Sequence, residues 1–438
     1  MGGLYYLRFS KLFPSRFPSN RPLMNRFPQT MIIILVTALA AFGVTMLYST
    51  SYDTFGTSKL KLQLAWLILG IMVIVVVRLI DYHRLTRYSP WILGAVSAAL
   101  LYLAGAHILS KVPGCAGLAA HIPFTGGVKG AYRWLNLGGG VRLQPSEFVK
   151  IGLILFLAQY FARHARFMGE FRRGVLEPVA IAGGVMVLVL AGGSLSVSVI
   201  TGGVVVVLFF VGGVRMRYVL PVFVLIIGAF LSVKLVDNST LEKIGKTVHY
   251  PGIVERLSRV TSYRDPEAVQ EGDGYQLWFS QLALGSGGWD GLGFTNSRMK
   301  KHYLPEAHTD FILSIVGEEL GYAAVAGVVG AYLTLTLMVF LLASRAADRE
   351  GSLICAGVGA SLGLHAFVNI SVVSGFLPTT GVTAPFISYG GSSVLASAIG
   401  VGLLLSVARQ TERHHLEREL QDEEESAATP PLLRTLFH

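Results

Sequence analysis

Long apolar runs decide what this chain can fold into. Runs of about 18 to 22 apolar residues cross a bilayer as helices, and about ten mostly apolar stretches on that scale, the fourth to sixth of them shorter, lie near 31–50, 62–82, 90–109, 148–162, 178–193, 197–213, 218–236, 310–343, 351–374 and 391–408. Backbone polar groups in hydrocarbon must be satisfied within the segment, so helices are the expected solution. Charged residues make up 14% of the 438 positions, against about 25% in a soluble domain. The 50 glycines suit helices that approach one another closely through small residues. The expected fold is an all-α integral membrane protein with about ten transmembrane helices.

The net charge of +10 does not point to nucleic acid, because Lys and Arg sit in short clusters between apolar runs rather than along one patch. They are topology signals. The loops carrying Arg78, Arg84 and Arg87, then Arg163, Arg166, Arg172 and Arg173, then Arg215 and Arg217, then Arg345 and Arg349 alternate with unmarked loops. This places them, and both termini, in the cytoplasm. Residues 1–30 read as a basic cytoplasmic tail, 31–408 as the polytopic domain, and 409–438 as a cytoplasmic tail, solvated and partly disordered by its composition. Segments 110–147, 237–309 and 375–390 then lie outside. The largest, between the seventh and eighth spans, contains IVERLSRVTSY, whose Ile253, Leu257 and Val260 share a helical face opposite Arg256 and Arg259, as in a helix lying on the membrane surface. Cys115 and Cys355 offer neither metal-ligand spacing nor a persuasive disulfide.

Ionisable residues in or at the mouth of spans are functional candidates by default. HYLPEAHTDFILSIVGEELG, at 302–321, sets Glu306, His308 and Asp310 before an apolar run and Glu318 and Glu319 inside it. Asp310 or Thr309 could cap the helix that follows, or Asp310 could face a site. Helical geometry turns Glu318 toward the side of Asp310 and Glu319 away from it, toward a neighbouring helix, a loop dipole or a basic partner. A buried structural network is the simpler reading of the two glutamates. A second constellation, RWLNLGGGVRLQPSEFVK at 133–150, places Glu147 three residues before Lys150, within pairing distance on a helix that Pro145 and Ser146 suit as a start. A third, GFLPTTGVTAPFISYGGSS at 375–393 and including Ser388 and Gly390, reads as a re-entrant loop that packs against protein or lines a cavity.

In this order, RWLNLG with QPSEFVK, GDGYQL, LPEAHTDF with GEELG, and LPTTG with PFISYGGSS resemble the SEDS family (shape, elongation, division and sporulation) of bacterial cell-wall polymerases. The likeness runs from the first span to the last, and is greatest to the division-type, FtsW-like members. It implies a ten-span membrane protein of the bacterial cytoplasmic membrane with peptidoglycan glycosyltransferase activity on lipid II and the nascent glycan chain. Its implied partners are a class B penicillin-binding protein transpeptidase and other divisome proteins. The family's extracytoplasmic aspartate falls on Asp310, its paired Glu and Lys on Glu147 and Lys150, and its Arg and Trp on Arg133 and Trp134. In that chemistry Asp310 is the candidate base, and Arg133, Lys150, Arg259, Lys300 and Lys301 are candidate partners of the pyrophosphate. No cofactor is implied; a divalent cation could share the charge, though nothing in the sequence requires one. One departure stands out: where the family carries Pro-Asp-x-Gly, this chain has Gly193, Ser194, Leu195 and Ser196. A lipid II flippase and a non-catalytic scaffold for the transpeptidase are the competing expectations.

Overall fold

A computed structural model of the protein describes residues 22–111, 122–128, 131–138, 141–215, 217–221, 263, 273–301 and 303–428. In chain order the elements are α1 (Pro22–Phe55), α2 (Ser58–Leu79), α3 (Tyr82–Arg87), α4 (Ser89–Lys111), β1 (Thr125–Val128), β2 (Ala131–Gly138), β3 (Val141–Leu143) and α5 (Pro145–Arg163). Then come α6 (Glu177–Ala191), α7 (Leu195–Val211), α8 (Asp273–Ser286), α9 (Ile312–Arg345), α10 (Arg349–Val373) and α11 (Gly391–Ala428). Among the described residues 8 helices are long and apolar enough to cross a membrane, and α7 is a shorter apolar helix. Every expected run but one falls on one of these nine. The seventh, near 218–236, lies outside the described residues beyond a helical turn at 217–221, as do Arg259 and the segment 253–260.

The bundle has a lipid-facing layer and a core. Only 11% of the apolar window of α2 is buried, against 78% for α5 and 72% for α10. Helix α10 packs against α5, α7, α9 and α11, and Leu153, Ile154 and Leu157 of α5 meet Ile354, Ala356 and Val358 of α10 in one hydrophobic core. Helix α10 is therefore the central post, and at its outer end the Val373 carbonyl accepts from Ser280 of α8 at 3.0 Å.

Among the described residues the structure departs from a purely helical chain in one place. Strands β1, β2 and β3 form an antiparallel sheet ordered β1-β2-β3, with Trp134 opposite Gly126 and Asn136 opposite Arg142. Alternating side chains in YRWLNL favour extended backbone, and Gly138, at φ 88, supplies the left-handed conformation that ends the strand. At the other end of the chain α11 does not stop near 408 but runs helical through Ala428. Glu, Arg, Leu and Gln dominate that extension and are good helix formers. Arg26 near the start of α1 pairs with Glu412 of α11, which sets the start of α1 and this part of α11 at one side of the bundle, as expected for two cytoplasmic termini.

The segment between α10 and α11 dips into the bundle as a re-entrant loop. Residues 382 and 384–388 are buried, and their polar groups are met by protein: Tyr332 donates to the Pro385 carbonyl at 2.6 Å, and the Ala384 N–H donates to Ser388 Oγ at 2.9 Å. Gly43 of α1 makes room for it, because a Cβ there would stand 2.6 Å from Ile387 Cα and 2.7 Å from the Phe386 carbonyl oxygen. Backbone on both sides leaves nothing flexible to yield. Gly43→Ala should lower stability by about 1–3 kcal/mol, read as a drop in the thermal midpoint of the detergent-purified protein.

Candidate active site

Asp310 sits two residues before α9 and does not cap it. The N-cap is Phe311, with no side-chain capping bond. Its backbone is held by α10: the Asp310 carbonyl accepts from Asn369 Nδ2 at 2.8 Å, and the same nitrogen donates to the Val382 carbonyl of the re-entrant loop at 2.7 Å. The half-buried carboxylate lies against that loop, with Oδ2 3.6 Å from where a Cβ on Gly381 would stand. One amide thus ties the candidate base, the central post and the loop to one another.

The Glu147–Lys150 constellation lies in the first turns of α5, which Pro145 opens. Lys150 donates to Glu147 Oε2 at 2.8 Å and to His365 Nε2 of α10 at 2.7 Å. Lys150, at 4% exposure, Glu147 and His365 are all buried. Gln144 and Arg142, just before α5, bond Ser392 at the start of α11. Buried charge of this kind persists only when paired.

Glu318 and Glu319 form a third, separate network, and helical geometry alone misplaces Glu318. Its oxygens do not face the Asp310 region; they accept from the Ser297 hydroxyl and from the Arg298 N–H at 2.8 Å. Glu319 accepts from Lys300 Nζ at 2.8 Å and from Ser49 Oγ of α1 at 2.7 Å. Lys300 also donates to Ser49 Oγ at 2.9 Å and to the Thr295 carbonyl at 2.8 Å. An ammonium has three donors, so Lys300, its side chain 2% exposed, is committed and is not a pyrophosphate partner. Loop 287–293 completes the junction. Helix α9 breaks at Gly321 (φ 77), which frees the Glu318 and Glu319 carbonyls to accept from the Leu292 and Gly293 N–H groups, each at 2.9 Å.

Lys301 is exposed and Ser388 buried. Arg133 and His107 face the departed turn, with Arg133 Nε 3.5 Å and His107 Nε2 3.7 Å from where a Cβ on Gly193 would stand. Trp134 is held within the sheet. Ser388 and Gly390 are both bonded to Gln63 of α2. Glu306 adopts φ 59, and its carbonyl accepts the Thr309 N–H at 3.0 Å. His308 is buried beside Lys59, whose ammonium meets His308 Nε2 and lies 3.5 Å from the centroid of the Phe55 ring. Among the described residues no three His, Cys, Asp or Glu side chains gather as a metal-holding group. Sequence reasoning missed His365, Asn369, Lys59 and Gln63. The signal was present, since each is a polar residue within or at the mouth of an apolar run.

Such an assembly, polar groups meeting at the outer ends of a glycine-rich helical bundle, defines a multi-pass membrane protein with a candidate site at one membrane face. A family model described as "Cell cycle protein" and named for FtsW, RodA and SpoVE matches residues 29–413, and the chain belongs to that family, the SEDS family. It is similar to the "Probable peptidoglycan glycosyltransferase FtsW" of Geobacter metallireducens, 35% identical over 386 residues, covering 86% of this chain and 94% of that protein. It is also similar to the protein of that name from Nitrosomonas europaea, 30% identical over 410 residues, with 89% and 95% covered. Among solved structures, one titled "Structural coordination of polymerization and crosslinking by a peptidoglycan synthase complex" aligns at TM-score 0.65 and 27% identity, covering 87% of this chain and 97% of that one. The Thermus thermophilus rod shape determining protein RodA aligns at TM-score 0.59 and 26% identity, with 86% and 95% covered. The chain is a multi-pass protein of the bacterial inner membrane.

Two outcomes test this geometry. Glu319→Gln leaves Lys300 charged and buried, and should lower stability by about 3–5 kcal/mol, with part recovered when Lys300→Met is added. Burial, and then the charge of Lys59, push the His308 imidazole down to about 4 from an ordinary value of about 6.5. Unfolding restores that value, so protonation favours the unfolded chain. The contribution of His308 is level above about pH 6.5 and falls as pH drops toward the folded value. Thermal midpoints over that window should fall more steeply in the native sequence than in His308→Gln.

Proposed function

We propose that this chain is a peptidoglycan glycosyltransferase that polymerises lipid II into glycan strands at the outer face of the cytoplasmic membrane in cell division. The observation that carries the reading is the placement of Asp310: a half-buried carboxylate beside the outer ends of the spans, on backbone held by Asn369. The names of its relatives, probable peptidoglycan glycosyltransferases FtsW, support the same activity.

In the proposed step the C4 hydroxyl of an acceptor sugar attacks C1 of the lipid-linked donor. The new C1–O bond forms as the bond to the pyrophosphate breaks, the hydroxyl proton passes to Asp310, and undecaprenyl pyrophosphate leaves as a stable anion. One base and nearby cations suffice, in contrast to the acid and base pair of a glycoside hydrolase. Lys150, Arg133 and exposed Lys301 are the proposed cations for the leaving group, with Arg259 a further candidate. Glu147 orients Lys150, while Trp134, Ser388 and Gly390 shape the surroundings. A transpeptidase of the class B penicillin-binding type is the proposed crosslinking partner, in line with the synthase complex to which the fold is similar.

The test uses purified protein and externally supplied lipid II, which a flippase would not polymerise. Asp310→Asn should reduce glycan product by about a hundredfold or more while membrane insertion and co-purification with the transpeptidase persist. Native-level product from that variant would overturn the assignment of the base.

A further inference from the structure

A buried cation in a membrane bundle can be aimed as well as neutralised, and the surroundings of Lys150 do both. Its ammonium has three N–H donors. One goes to Glu147 Oε2 and one to His365 Nε2, at 2.8 and 2.7 Å. The third is left for a small, mostly apolar cleft that Lys150 lines together with Ser361, His365, Pro385 and Ser397.

The protonation of His365 follows from its two partners. Nδ1 lies 2.7 Å from the Ser361 carbonyl oxygen, which can only accept, so Nδ1 carries the proton. Nε2 of the neutral ring then presents its lone pair to Lys150. Glu147 already balances the charge of Lys150, so a second carboxylate in this position would leave the cluster negative, whereas a neutral acceptor fixes the direction of the ammonium without adding charge.

We propose that His365 is a positioning residue that acts through Lys150. By accepting one N–H it holds the ammonium with its remaining donor toward the cleft, where it meets an anionic oxygen of the substrate, a phosphoryl oxygen of the leaving group. This rests on the polymerase reading above.

Three variants separate aiming from packing. His365→Gln carries an acceptor that reaches the place of Nε2, His365→Asn carries the same amide too short to reach Lys150, and His365→Leu has no acceptor. Polymerisation of lipid II by each purified protein is measured for kcat and KM, alongside its thermal midpoint. His365→Asn and His365→Leu should lose about tenfold to a hundredfold in kcat, the scale of one hydrogen bond to a charged group. His365→Gln should recover most of that loss, and the midpoints of the Gln and Asn variants should agree. Equal losses in the Gln and Asn variants, or a native kcat in His365→Asn, would overturn the proposal. If His365→Leu does not fold, the comparison of the two amides decides. Should the native protein make no glycan at all, the polymerase reading fails instead, and that outcome is distinct from the others.

Discussion

Charge that enters a low-dielectric bundle must be matched donor for acceptor, because an unpaired buried ion destabilises by several kcal/mol. Among the described residues two buried ion pairs satisfy the requirement, and each draws in a partner from another element. Lys300, Glu319 and Ser49 join the loop before α9 to α9 and to α1. Glu147, Lys150 and His365 join α5 to α10. The ion pairs therefore do more than neutralise: they set which helix ends can stand beside which at the outer face. Removing one partner would disturb the register between helices as well as a local charge.

The spans were legible in the sequence because hydrophobic length is a local property. The pairing of Glu147 with Lys150 was legible for the same reason, as three residues on a helix suffice to predict it. Non-local partners were not. A helical wheel turns Glu318 toward the side of Asp310, yet the groups that bind it, Ser297 and Arg298, arrive from about 20 residues earlier in the chain, where no periodicity announces them. His365 and Asn369 appear in sequence as unexplained polar residues in an apolar run. Their meaning depends on Lys150, Asp310 and Val382, which only the fold brings to α10. The sheet at 125–143 was overlooked because its strands are short and the glycines around them mimic a loop.

Asp310 shows how a reading from local sequence can leave open two roles, cap and site residue, of which the structure removes one. A Thr-Asp pair before an apolar run has the form of a helix cap. The helix instead begins two residues later, at Ile312, with no side-chain capping bond. The first turn of α9 therefore does not consume the Asp310 carboxylate, and it is the backbone carbonyl that is tied down. Anchoring through the main chain holds the residue in place by a bond that does not involve its carboxylate.

His365 and Asn369 stand four residues apart on α10, one helical turn, and so share a face. One reaches Lys150 and the other holds Asp310, so a single rigid face fixes the height of the buried cation relative to the carboxylate at the membrane surface. Helix α10 is among the most buried of the spans, at 72% of its apolar window, and close packing on all sides resists sliding. In the proposed step the acceptor sugar gives its hydroxyl proton to the carboxylate and the donor loses its phosphate to the cation, so the two groups would act across one reacting bond at a fixed separation. Placing both under the control of one buried helix achieves this without a direct contact between them. Both His365 and Asn369 lie in the outer half of α10, on the side where the acceptor sugar and the lipid-linked anion would meet.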